Sequence, residues 1–191
     1  MPRSLALTAL FLLTALLCGC NTVHFQQALG RADDPALKRL LGTWRYVGPP
    51  IDPKPVEGPI EIVAEQGSYL ARDPAQPKDQ ASLRYFAGKQ GRYLVVELGE
   101  GKAEAKAYAV FKLEGEPPAV RVLPVDLAQA IPLLREAGFK VEEKREQFFH
   151  YATAQGERQA LERFVSSHDA RLFAPRQAMH FERVNTPEAK R

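Results

Sequence analysis

Three residue types of a serine hydrolase stand side by side near the end of the chain, in Ser166-Ser167-His168-Asp169. In a catalytic triad the nucleophile, the base and the carboxylate form a line of hydrogen bonds, which adjacent residues cannot do. The sequence also has no Gly-x-Ser-x-Gly turn, which would present a serine nucleophile. We therefore interpret the segment as a helix end followed by a loop, and we predict no enzyme and no catalytic residue.

The metal-binding residue types are equally sparse. The chain has four histidines, and no two of them are four residues apart. A zinc site needs three or four convergent ligands. Both cysteines, Cys18 and Cys20, lie in the first twenty residues, so the rest of the chain has no thiol nucleophile and no thiolate ligand. We expect no metal and no cofactor.

The first twenty residues have the pattern of an export signal. Arg3 precedes an uncharged, apolar-biased run that extends from Leu5 to Cys20. A cationic start, an apolar middle and small residues at the exit are typical of a secretory signal peptide. The run is shorter than the roughly 20 residues that a helix needs to span a bilayer.

The end of this run, Leu17-Cys18-Gly19-Cys20, resembles the lipobox of bacterial lipoproteins. In that family a small residue precedes a cysteine that receives lipid, palmitate included, and becomes the first residue of the mature protein. The resemblance implies cleavage after Gly19 and a lipid anchor on Cys20; cleavage without lipidation is the alternative. Cys18 is a poorer acceptor because a large residue precedes it. Asn21, where some inner-membrane lipoproteins have Asp, implies an outer-membrane anchor facing the periplasm.

The overall charge argues against nucleic acid as a partner. The 191 residues include 26 Lys and Arg against 23 Asp and Glu, and the two signs are interspersed. An exported chain of this length without a disulfide must depend on its own hydrophobic core. We divide it into a signal peptide (1–19), a lipidated tether (20–36), one domain (37–185) and a polar tail (186–191).

Short runs rich in β-branched and aromatic residues alternate with Gly and Pro turns through this domain, which predicts a mainly β fold built as an antiparallel meander. A proline-rich loop (residues 48–59) follows the first predicted strand. Two helices are predicted late in the chain, one at residues 127–137 between an Asp126 cap and Gly138, the other at residues 155–169. The predicted strands cover residues 42–47, 61–64, 68–72, 83–87, 92–98, 106–113, 119–123 and 178–184.

A helical turn before Gly42-Thr43-Trp44 resembles the opening of lipocalin-like (calycin) barrels. The resemblance implies a barrel or half-barrel in which Gly42 allows a tight entry and Trp44 plugs the closed end. Calycin barrels also carry an arginine on the last strand that packs over this tryptophan. Arg183 is the candidate, stacking by a cation–π interaction, because Arg45 lies on the opposite pleat from Trp44.

Five residues are candidates for lining a ligand pocket in this barrel, although each could also be ordinary core. The resemblance implies a membrane-anchored envelope lipoprotein that binds a small hydrophobic ligand. The alternative is a structural or interaction lipoprotein with a filled barrel that binds another envelope protein. The candidate lining residues are Tyr85, Tyr93, Tyr108, Phe111 and His150.

The lipobox interpretation predicts that Cys20→Ser abolishes incorporation of labelled palmitate, because the acceptor thiol is gone. Cys18→Ser is the matched control and should retain the label. The measurement is labelling of growing cells followed by recovery of the protein from the membrane fraction. Label retained by Cys20→Ser would contradict the assignment.

Overall fold

The computed structural model describes residues 21–48, 58–98, 106–145 and 150–184. The proposed signal peptide, Cys20, the tail and most of the proline-rich loop lie outside these residues. The described part contains eleven strands, three α-helices (α1, Leu127–Glu136; α2, Arg158–Ser167; α3, Asp169–Leu172) and two 3₁₀ helices (Pro35–Leu40 and Pro175–Gln177). The strands are β1 (Asn21–Phe25), β2 (Gly42–Tyr46), β3 (Ile60–Glu65), β4 (Ser68–Asp73), β5 (Gln76–Ala87), β6 (Arg92–Leu98), β7 (Ala107–Glu116), β8 (Ala119–Pro124), β9 (Lys140–Arg145), β10 (His150–Gln155) and β11 (Met179–Arg183).

Eight of these strands close into an antiparallel barrel. Their order is β6-β5-β4-β3-β2-β11-β8-β7, and β7 pairs with β6 to complete the circle. Every neighbouring pair is antiparallel. The predicted mainly β, lipocalin-like fold is therefore confirmed, and it is a closed barrel rather than a half-barrel. Closure leaves none of these eight strands as a sheet edge.

The last strand, β11, closes the barrel by pairing with β2 on one side and β8 on the other. Phe181 lies opposite Tyr46 on β2, and Met179 lies opposite Val122 on β8. Met179 and Phe181 are both buried inside the barrel, as the period-two pattern of this segment predicts.

The remaining three strands form an outer sheet that extends from β7. Strand β8 pairs with β7 only as far as Phe111, and β1 takes the same edge of β7 at Ala109 and Tyr108. Strand β10 runs parallel to β1, and β9 pairs antiparallel with β10. The sequence of residues 140–155 predicts no strand, because its mixed charges and aromatic residues lack a clean alternation.

Residues 21–36 do not form the predicted tether. They begin with β1, whose Val23 and Phe25 are each 1% exposed and pack into the core of the outer sheet. Further along, Arg31 exchanges two backbone hydrogen bonds with Tyr85 on β5, at 2.8 and 3.0 Å. Val23, Phe25 and Leu29 are buried, but the polar residues between them obscure this pattern in the sequence.

The 3₁₀ helix Pro35–Leu40 follows directly and covers one end of the barrel. Asp34 caps it by accepting a hydrogen bond from the Ala36 N–H at 2.9 Å. Leu37 and Leu40 point from it into the barrel core, at 0% and 4% exposure.

The helices α1–α3 enclose a second core on the outside of the barrel, against β6, β7, β8 and the outer sheet. Helix α1 matches the prediction, since Asp126 accepts from Ala128 and Gln129 at 3.0 and 3.3 Å. Helix α2 begins later than predicted because Gln155 is the last paired residue of β10. Asp169 starts a second short helix where a loop was expected.

The buried position of β1 predicts that Phe25→Ala lowers the free energy of unfolding by roughly 3–5 kcal/mol, through lost burial and the cavity left behind. Gln27→Ala, two residues away and exposed, should change it little. Urea unfolding of both variants provides the measurement. An unchanged free energy of unfolding in Phe25→Ala would contradict the burial of β1 and favour the predicted tether.

Candidate functional site

The barrel interior encloses a cavity of about 80 Å³. All eight barrel strands and the 3₁₀ helix contribute to its lining, and every lining residue is apolar. The lining comprises Leu40, Trp44, Ile60, Ile62, Ala71, Leu83, Leu94, Val96, Phe111, Leu113, Val120, Val122 and Phe181.

The residues that line the cavity differ in burial. Ile60 and Ile62 on β3 and Ala71 on β4 are half-buried, whereas most other lining residues are buried. Ile62 and Ala71 are opposite each other in the β3–β4 pair. Leu94 on β6 is also half-buried. The least buried part of the lining is therefore formed mainly by Ile60, Ile62 and Ala71 on β3 and β4.

Trp44 and Arg183 meet at the end of the barrel that the 3₁₀ helix covers. The indole N–H of Trp44, which is 3% exposed, donates to the Leu40 carbonyl at 2.7 Å. The guanidinium carbon of Arg183 lies 5.0 Å from the centre of the indole ring, within cation–π range. Arg183 also donates to the Arg39 carbonyl, so it links the last strand to the 3₁₀ helix.

Gly42 leads into this arrangement. Its φ is +122°, a backbone conformation that favours glycine. A Cβ at this position would lie 3.7 Å from Cδ and Nε of Arg183, an ordinary van der Waals distance, so the backbone conformation and not a lack of space favours glycine here. The structure therefore brings together Gly42, Trp44 and Arg183, the three residues selected by the lipocalin resemblance.

The five candidate pocket residues are scattered. Phe111 lines the cavity, and Tyr85 points into the same barrel interior without lining the cavity. Tyr93 and Tyr108 instead face the second core outside the barrel. His150 lies on β10 in the outer sheet. Strands β6 and β7 are apolar on both faces, so their pattern alone did not indicate which face is the barrel interior.

The position of His150 is explained by its charged neighbours rather than by a pocket. Its Nε2 lies 3.3 Å from Oε2 of Glu143, and Arg145 donates to the same nitrogen at 3.2 Å. Arg135 donates to the other carboxylate oxygen of Glu143 at 2.6 Å. Arg135, Glu143 and Arg145 form an ion-pair cluster beside the outer sheet, and His150 contacts it.

A buried polar cluster that the sequence analysis missed joins α3 to the barrel. Asp169 is 5% exposed, and it accepts from the Tyr93 hydroxyl at 2.8 Å and from Lys112 Nζ at 2.5 Å. Burial raises the pKa of the Tyr93 phenol, and its hydrogen bond to the Asp169 carboxylate raises it further. The only hint in the sequence was an aspartate at the end of a predicted helix with a strongly apolar face.

Within Ser166-Ser167-His168-Asp169, the hydrogen bonds do not run from a serine through the histidine to the aspartate. Nδ1 of His168 lies 3.0 Å from both the Ser167 hydroxyl and the Phe164 carbonyl. Asp169 is instead engaged by Tyr93 and Lys112.

Within the described ranges, no three or more His, Cys, Asp or Glu side chains are grouped so that they could hold a metal ion. No helix in those ranges is long and apolar enough to cross a membrane. Comparison of the chain with protein families, curated proteins and solved structures found no match.

The Tyr93–Asp169 contact predicts a pH-dependent effect of Tyr93→Phe. Near pH 8 the variant should be less stable by roughly 1–3 kcal/mol, because a buried carboxylate oxygen loses its donor. The folded protein holds the phenol proton more tightly than the unfolded chain, so this stabilisation is complete below about pH 10 and is lost as the pH rises through the raised pKa.

Urea unfolding of wild type and Tyr93→Phe between about pH 8 and pH 11.5 measures the difference. We expect the gap in unfolding free energy to narrow above about pH 10. A gap that stays constant over this range would contradict the assignment.

Proposed function

We propose that the protein is an envelope lipoprotein, anchored through Cys20, whose barrel binds the hydrocarbon part of a small lipid-like molecule. The supporting observation is the cavity of about 80 Å³ inside the closed barrel, whose lining is apolar throughout. The lipid anchor is supported by the lipobox resemblance of residues 17–20.

The size of the cavity limits the ligand. A water-sized group needs roughly 10–15 Å³ of such space, so the cavity has room for on the order of five to eight. Pockets for drug-sized ligands are larger, at about 300–1,000 Å³. The barrel as it stands therefore suits a short alkyl chain or the end of a longer one.

The lining also limits the chemistry of the ligand. A buried polar group needs a hydrogen-bond partner, and this cavity offers none from its side chains. The ligand part inside the barrel must therefore be pure hydrocarbon, and any polar head would have to remain outside. We assign the half-buried wall formed by Ile60, Ile62 and Ala71 as the route by which the hydrocarbon part enters the barrel.

The second candidate is an interaction lipoprotein with no ligand. The observation that favours it is the cavity volume of about 80 Å³, which lies below the usual range for ligand pockets. It predicts that an envelope protein, and not a lipid, accompanies the purified chain.

Ala71→Leu separates the two functions. This substitution adds three carbon atoms at the cavity lining. The control is Val63→Leu, which adds one carbon atom to a side chain on the outer face of β3. We expect 1-hexanol to bind the wild type and Val63→Leu, and to bind Ala71→Leu roughly tenfold more weakly, about 1.4 kcal/mol. Calorimetric titration gives the affinities.

Mass spectrometry of organic extracts from the three natively purified proteins should then find the same compound enriched with the wild type and the control, and reduced with Ala71→Leu. Failure of 1-hexanol to bind any of the three, with no enriched compound, would overturn ligand binding. In that case crosslinking in cells should recover a protein partner.

A further inference from the structure

The proposed lipid anchor and the folded domain are separated by a single peptide bond. Cys20 is bonded to Asn21, and Asn21 is already the first paired residue of β1. We propose that the adjacent end of the outer sheet rests directly on anionic phospholipid headgroups. This end, the anchor edge, is formed by Asn21 on β1, Arg145 on β9 and His150 on β10. The inference rests on the proposed lipidation of Cys20.

Strand β1 is held too firmly to act as a spacer. It pairs with β10 along its whole length, from Asn21 to Phe25, and with β7 on its other edge. Val23 and Phe25 are anchored in the second core. A free segment of residues 21–36 could extend by roughly 50 Å, and none of that reach exists while β1 is paired.

The pairing register brings the three strand ends to one level. Asn21 is opposite His150, and His150 is opposite Arg145. Neighbouring strands lie about 4.8 Å apart, so Arg145 is roughly 10 Å from the strand that begins beside the anchor. A lipid inserted at Cys20 therefore brings all three strand ends to the membrane surface together.

The side chains near the anchor edge favour an anionic surface. Arg145 and Arg135 remain exposed over 74% and 53% of their side chains, and Lys144 is exposed as well. Among the described residues there, the Glu143 carboxylate is shared between Arg135, Arg145 and His150, and Glu142 interacts with Lys144 as well as with Lys140. The cations Arg135, Lys144 and Arg145 thus outnumber these two carboxylates, which is the charge pattern that binds anionic lipid headgroups.

The opposite end of the same strands lacks this excess. Lys140, at the other end of β9, is paired with Glu142 at 2.7 Å. Lys140 and Lys144 are four residues apart on one face of one strand, and both are exposed. They therefore provide a matched pair of positions about 13 Å apart along the strand.

The chain allows a direct test, because it has no cysteine after Cys20 and a lipidated Cys20 cannot react with a thiol label. The full-length lipidated protein is placed in phosphatidylethanolamine vesicles containing phosphatidylglycerol, with a fluorophore on Lys144→Cys or on Lys140→Cys. Ala64→Cys, on β3 at the opposite side of the barrel, is the distant control. A quencher attached to lipid headgroups then reports proximity.

We expect quenching at position 144 to exceed that at position 140 severalfold, with little quenching at position 64. The difference between 144 and 140 should shrink when phosphatidylcholine replaces phosphatidylglycerol. Protein that stays on the vesicles with equal quenching at 144 and 140 would overturn this inference alone. Protein that carries no lipid and leaves the vesicles would overturn the proposed anchoring as well. If the difference in quenching between positions 144 and 140 is the same in phosphatidylcholine, the assignment to anionic headgroups is overturned.

Discussion

Strand β7 has to bury side chains on both faces and pair its backbone on both edges. One edge is covered by β6, and the other is divided between β8 and β1. Phe111 and Leu113 point into the barrel, whereas Tyr108 and Val110 point into the second core. Unpaired backbone groups at this depth would be costly, so β1 must take the part of the edge that β8 leaves. The barrel and the outer sheet therefore share strand β7.

The two cores leave little spare room inside the barrel. The second core supports β6–β8 from outside, and the Tyr93–Asp169–Lys112 cluster holds α3 against the same wall. The Trp44–Arg183 contact and the 3₁₀ helix cover one end. What remains is a small apolar cavity next to the less supported β3–β4 wall. A binding function for such a barrel depends on hydrocarbon packing rather than on hydrogen bonds.

Much of the barrel could be predicted from local patterns. Alternating apolar residues in β11, the Asp126 cap of α1 and the Gly42–Trp44 motif are short-range signals, and each lies where the pattern indicated. The candidate pocket was predictable only in part, since Phe111 lines the cavity and Tyr93 does not. A strand that is apolar on both faces carries no information about which face is the interior.

The sequence by itself determined the export pattern ending at Cys20, the absence of later cysteines, the mainly β class and the side of β11 that faces inward. Only the tertiary structure decided that the barrel closes, that residues after Cys20 form a paired strand and that Asp169 is buried. The physical reason is the range of the interactions. Caps, turns and alternation act between near neighbours, whereas β1 and Asp169 are stabilised by partners more than fifty residues away.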